Sequence, residues 1–146
     1  MSESRPQGKV VVGYPWDATD ESLAPLRERL PDLDIAAAPY YGTFAHHVPG
    51  ASEELTDDER KVWAEAEVAL ALDLPPDISN LAPRLRWVQA IGAGVVHLRA
   101  ANLGADVMVT NAAGVAAVPI AEFAIGRLLE VWKHFAELDR MQRDKE

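Results

Sequence analysis

The hydrophobic positions change period along the chain, and the changes predict an alternation of strands and helices. Residues 9–13 (KVVVG) are a β-branched run ending in Gly13, Tyr14 and Pro15, as a buried strand entering a turn does. Over residues 22–30, Leu23, Leu26 and Leu30 stand at helical spacing; Pro25 falls in the first turn, where a missing N–H costs little, and Pro31 ends the helix. Residues 34–38 predict a weak second strand, and residues 39–50 (PYYGTFAHHVPG) have the Gly, Pro and aromatic content of a long loop. Thr56 followed by Glu59 matches a capping box ahead of Val62, Trp63 and Ala66. Residues 68–72 then predict a third strand, closed by Asp73 and Pro75-Pro76.

Residues 85–91 (LRWVQAI) predict a fourth strand, followed by Gly92, Ala93 and Gly94 and a short helical stretch to about Leu103. Residues 106–110 (DVMVT) predict a fifth. From Ala117 onward, Ile120, Phe123, Ala124, Arg127, Leu128, Val131, Phe135 and Leu138 follow the spacing of one long amphipathic helix. Trp63 and Trp87 fall at apolar-periodic positions and are expected in the core, whereas the pattern does not assign Trp16 or Trp132. Strands alternating with helices predict an α/β fold, a five-stranded parallel sheet covered on both faces as a three-layer sandwich. Ligands of such folds sit outside the carboxyl ends of the strands.

Composition narrows the function classes. A length of 146 residues, 49% of them hydrophobic, fits a single folded core. The net charge of −9 repels phosphate backbones and anionic lipid, so neither nucleic acid nor a membrane surface is an expected partner. Without cysteine there is no disulfide, no thiolate nucleophile and no Cys-ligated zinc. MSESRPQGK lacks the apolar region of a signal peptide, and no apolar run is long enough to span a bilayer, so the expected location is cytoplasmic.

The predicted strand ends carry Tyr14, Tyr40-Tyr41, Asp73, Gly92-Ala93-Gly94 and Asn111. The glycine loop admits two readings: backbone N–H groups converging on an anion such as a carboxylate, or a tight turn that needs glycine for its dihedrals. GAGVVH falls short of the dinucleotide fingerprint G-x-G-x-x-G, because His97 stands at the third glycine and the next strand ends in Thr110-Asn111 without a ribose-binding acid. Asn111 could offer a donor and an acceptor to a small polar substrate or form an Asx turn. Glu122 reads as a structural acid in the first turn of the long helix. His46, His47, His97 and His134 show no metal-ligand spacing, no serine lies on a nucleophile elbow, and Asp73 reads as a turn residue.

Residues 85–129 carry a resemblance. LRWVQAIGAGVVHL followed by DVMVTNAAGVAAVPIAEFAIGRLL resembles the N-terminal region of NAD(P)-dependent D-isomer-specific 2-hydroxyacid dehydrogenases. In that family a strand ending W-V-Q leads to a Gly-Ala-Gly-Val type loop, a second strand ends in T-N, and G-V-x-x-x-x-[IV]-A-E opens a long helix. The resemblance implies a flavodoxin-like substrate-binding domain over residues 1–116, with residues 117–146 forming the helix that leads into a nucleotide-binding domain. It implies that the backbone amides of Ala93, Gly94 and Val95 hold a substrate carboxylate and that Asn111 lines the pocket. The family reaction is hydride transfer between nicotinamide and C2 of a 2-hydroxy or 2-oxo acid, using a histidine, an arginine and a carboxylate. None of the three has a counterpart here, because in the family they lie beyond the long helix and this sequence stops at Glu146.

The expectation is therefore a truncated, substrate-binding portion of such a dehydrogenase, without turnover of its own. NAD or NADP is implied by the family, and its binding to this chain alone is not expected. At the position after Val95, where many members have aspartate, this chain has Val96. The apolar stripe of the long helix calls for a cover, supplied by a homodimer or a complementing chain. The alternative is a non-catalytic small-carboxylate-binding or protein-interaction module on the same fold. A phosphoacceptor receiver domain lacks its acidic pair after the first strand and its lysine after the fifth, where Gly13-Tyr14 and Asn111 stand.

Overall fold

A computed structural model describes residues 8–13, 20–42, 45 and 54–144; Tyr14, Trp16, His46 and His47 lie outside the described residues. The chain divides into two compact units, Met1–Ala112 and Ala113–Glu146.

In the first unit, β1 (Lys9–Gly13), β2 (Asp34–Ala37), β3 (Ala66–Ala71), β4 (Trp87–Ala90) and β5 (Met108–Thr110) form one sheet in the order β2-β1-β3-β4-β5. Every neighbouring pair is parallel, with Val11 opposite Ala36 and Ala69, and Val88 opposite Ala69 and Val109. Parallel neighbours need crossovers, and right-handed ones put the β1-to-β2 helix on one face and the later connections on the other. That leftward first step and the rightward succession after it make the flavodoxin-like sandwich predicted from the sequence.

Helix α1 (Asp20–Arg29) covers one face, where Leu23 packs with Val12 and Ile35. The opposite face carries α2 (Asp57–Ala64), α3 (Ile78–Leu81) and a 3-10 helix (Val96–Ala101). Here Trp63, Ile78, Leu98 and Ala101 meet Val11, Ala69, Ala71, Val88 and Ala90, all buried. Alanines on the sheet leave room for the large indole. The capping box is formed: Thr56 Oγ1 accepts from the Glu59 N–H, and the Thr56 N–H donates to Glu59 Oε2 at 2.7 Å.

Several local expectations are corrected. Helix α1 begins two residues earlier than the apolar spacing suggested, which puts Pro25 inside the helix, beyond its first turn. The stretch before Leu103 is a 3-10 helix, and α3 is too short for periodicity to reveal. Trp87 is 41% exposed and not in the core. Because side chains alternate along β4, Val88 and Ala90 take the face covered by α2, α3 and the 3-10 helix and turn Trp87 and Gln89 to the other. On that face Val10, Leu33, Val68, Leu70, Trp87 and Met108 line a shallow apolar depression of about 580 Å³.

The second unit holds α4 (Ala117–Trp132) and α5 (Phe135–Asp144). The single long helix expected from Ala117 is interrupted at His134, whose φ of 57° is left-handed. The His134 N–H turns to the Val131 carbonyl, and its own carbonyl accepts from Glu137 and Leu138 to start α5. Glu122 lies beyond the first turn of α4, which carries no acid, so its reading as a first-turn residue does not hold. Among the described residues, no helix is long and apolar enough to cross a membrane.

Candidate functional site

The carboxyl ends of β3, β4 and β5 carry the residues in question. The ladder runs one bond past β4, the Ile91 N–H donating to the Ala71 carbonyl at 3.1 Å, and the chain then turns through Gly92, Ala93 and Gly94. Two bonds tie this turn to the segment leaving β5. The Ala112 N–H donates to the Gly92 carbonyl at 3.1 Å, and Asn111 Nδ2 donates to the Ala93 carbonyl at 2.8 Å. The structure thus brings Asn111 and the glycine loop together.

Among the described residues, the N–H groups of Gly92, Ala93, Gly94 and Val95 donate to no protein group. Such backbone donors take their acceptors from solvent or from a ligand. The alternative, a turn that requires glycine for its dihedrals, finds no support in the geometry. Positive φ among the glycines is confined to Gly42 and Gly114 in the described residues. A Cβ built on Gly94 meets no heavy atom within 4 Å, and one on Gly92 meets only the Gly94 carbonyl oxygen, at 3.8 Å. The absent side chains leave approach space that the fold itself does not use.

His97, at the third position of the incomplete fingerprint, lies in the 3-10 helix after the loop with Nε2 at 2.7 Å from the Leu72 carbonyl oxygen. A carbonyl only accepts, so Nε2 carries the proton and the ring ties the loop to the end of β3. Asp73, 6% exposed, accepts from the Leu74 N–H at 2.8 Å through Oδ1 and acts as a turn residue.

Two polar clusters escaped the sequence reading. Asp77 accepts from Asn80 Nδ2 at 2.6 Å and Asn102 Nδ2 at 2.9 Å. These bonds, the Asn80 one foremost, hold its carboxyl below the ordinary value of 3.8. Asp77 and Asn102 are both left-handed, at φ 55° and 54°, which Asp and Asn tolerate better than most residues. Asp77 and Asn80 border a cleft of about 590 Å³ with Tyr40, Arg60 and Pro75. On the opposite face Trp87 Nε1 donates to Thr110 Oγ1, which donates to Gln89 Oε1, both at 2.7 Å. Only the pair Pro75-Pro76 before Asp77 signalled a turn in the sequence. Among the described residues no group of three or more His, Cys, Asp or Glu side chains is placed to hold a metal.

The chain shares its fold with D-isomer-specific 2-hydroxyacid dehydrogenases. A structure of such a protein from Aeromonas salmonicida subsp. salmonicida A449 aligns over 96% of this chain and 40% of its own, with a TM-score of 0.64 and 21% identity. Another, from Xanthobacter autotrophicus Py2 in complex with NADPH and MES, aligns over 97% of this chain and 41% of its own, with a TM-score of 0.59 and 23% identity. An NADPH-dependent glyoxylate/hydroxypyruvate reductase from Sinorhizobium meliloti, in complex with NADP and malonate, aligns over 95% and 39%, with a TM-score of 0.53 and 21% identity. The chain spans about 40% of the length of these solved structures. No family model matches the sequence, nor does any curated protein.

Proposed function

We propose that this chain is the substrate-holding portion of an NAD(P)-dependent D-2-hydroxyacid dehydrogenase, and that residues 93–95 take the carboxylate of a small 2-oxo or 2-hydroxy acid beside Asn111. The observation that carries this reading is the run of unpartnered N–H groups at the exit of β4, next to a glycine whose Cβ would enter open space. Hydrogen bonds from backbone N–H groups to a carboxylate are charge-assisted and roughly twice as strong as neutral ones. Donors fixed in a loop also need little reorganisation when the ligand arrives. The net charge of −9 opposes an anion only weakly, because it is spread over the surface and screened beyond about 8–10 Å, whereas the loop donors act in contact.

On this reading the dinucleotide is not held by the described residues. His97 fills the third glycine position with a ring bonded to Leu72, and β5 ends at Thr110, followed by Asn111, with no acid for a ribose. The part of this chain in the reaction is therefore to bind the carboxylate and to orient the C2 that it fixes. On this reading the chain alone does not turn over.

The test is a titration of 15N-labelled protein with glyoxylate. Saturable shifts confined to the amides of Ala93, Gly94 and Val95, abolished by Gly94→Trp, are the expected result. Absence of any saturable shift in the wild-type chain overturns the carboxylate site. Protein-dependent NADH consumption with glyoxylate, hydroxypyruvate or pyruvate overturns the claim that the chain is inactive alone.

A further inference from the structure

Successive carbonyls of an extended strand point to opposite sides, so a neighbouring strand receives every second one. Beyond β4 this alternation stops: the consecutive carbonyls of Gly92 and Ala93 both face the segment that leaves β5. The first is met by a main-chain donor, the Ala112 N–H. The second is met by a side chain, the Asn111 amide, at the shorter distance of 2.8 Å.

This pairing has a consequence for the donors. Each peptide unit here is planar and trans, with its N–H directed opposite to its C=O. The Gly92 carbonyl fixes the N–H of Ala93, and the Ala93 carbonyl fixes the N–H of Gly94. Both carbonyls point toward residues 111 and 112, so both N–H groups point away from them, as two prongs on the same side of the loop. Two successive N–H groups on one side form the concavity that takes an anion.

We infer that Asn111 is a positioning residue of this site: its amide turns the Ala93–Gly94 peptide so that the Gly94 N–H faces the carboxylate. The inference rests on the carboxylate-site reading above and refines the role of Asn111 within it. The residue type follows from the task. The position needs a short neutral donor, and aspartate would set acceptor against acceptor while adding a negative charge beside the anion. Alanine would leave the peptide held by the Ala112 bond alone on the preceding unit.

The experiment compares wild type with Asn111→Ala and with Asn111→Asp, which keeps the side-chain shape should the alanine variant fail to fold. Ligand-free spectra are recorded first, and glyoxylate is then titrated. The expected result is displaced ligand-free resonances for the Ala93 carbonyl carbon and the Gly94 amide, with the melting temperature retained. Glyoxylate binding weakens by about three- to tenfold in Asn111→Ala, the loss of one neutral hydrogen bond, and further in Asn111→Asp. Weakened binding with an unchanged ligand-free loop overturns the inference in favour of direct contact between Asn111 and the ligand. A displaced loop with undiminished binding overturns it as well. A wild-type chain without a saturable shift removes the carboxylate site itself, and this role for Asn111 with it.

Discussion

Gly13 ends β1 directly against the indole of Trp63: a Cβ on Gly13 would lie 2.8 Å from Cζ2, closer than real Cβ contacts come. The indole cannot easily retreat, because it is fully buried and its Nε1 donates to the Ala38 carbonyl at 3.2 Å. Gly13→Ala is therefore expected to destabilise the fold by about 1–3 kcal/mol through overpacking. Trp63→Phe removes the donor and leaves the Ala38 carbonyl buried without it, a cost of about 1–3 kcal/mol before any cavity is counted. Urea denaturation of both variants checks this, and a Gly13→Ala protein with the wild-type midpoint refutes the packing argument.

Gly42 and Gly94 are expected to respond oppositely to the same substitution. Gly42 has a φ of 47°, and a Cβ there would press into the Asp73 carboxylate and the Tyr40 ring. Gly42→Ala should cost more than about 1 kcal/mol from conformation and contact together. Gly94→Ala meets no heavy atom within 4 Å, so its stability should be unchanged or raised by about 0.4–1 kcal/mol through the stiffer unfolded chain. Its glyoxylate binding should fall, because the methyl group occupies the approach space. Thermal melts and the amide titration separate the two effects; Gly94→Ala binding glyoxylate at wild-type strength would place the ligand elsewhere.

The parts of this fold legible in the sequence are those set by local patterns. The β-branched run of β1, the alternation of strands with helices and the Thr56–Glu59 capping box each need only a few neighbouring residues. The features that were missed depend on partners distant in the chain. LRWVQAI reads as apolar throughout, and only the helices packed on Val88 and Ala90 decide that Trp87 faces the other way. The apolar spacing runs through His134 without a glycine or proline to mark the break between α4 and α5. The glycine loop and Asn111 could be named as candidates from their types. The bond between Asn111 and Ala93 depends on the register of β4 with β5, where Gln89 lies opposite Thr110. The Asp77–Asn102 pair spans 25 residues and had no local signal.

Thr56 tests the helix cap in isolation from the site. Its Oγ1 accepts from the Glu59 N–H at 3.3 Å, supplying one of the partners that the first turn of α2 lacks. Thr56→Ala should lower stability by about 1 kcal/mol, and Thr56→Ser should restore most of it. A urea midpoint unchanged by the alanine substitution would mean that solvent serves the helix end equally well.

Two charged side chains, Asp77 and Lys9, predict opposite limbs of the stability profile against pH. Asp77 is held below its ordinary value of 3.8, first by Asn80 and then by Asn102, so its folded form loses its proton more readily than its unfolded form. Its contribution is therefore present above 3.8 and disappears as pH falls through the lower folded value. Lys9 is held above its ordinary value of 10.5, chiefly by its bond to Glu65, against the opposing effect of partial burial and with further help from Asp34. Its contribution is complete below 10.5 and is lost as pH rises through the higher folded value. Asp77→Asn should accordingly flatten the acid limb and leave the alkaline limb alone, while Lys9→Met should flatten the alkaline limb. Urea midpoints measured across both limbs decide the matter. A Lys9→Met profile that follows wild type at high pH, or an Asp77→Asn profile that departs from it there, would assign the linkage to other groups.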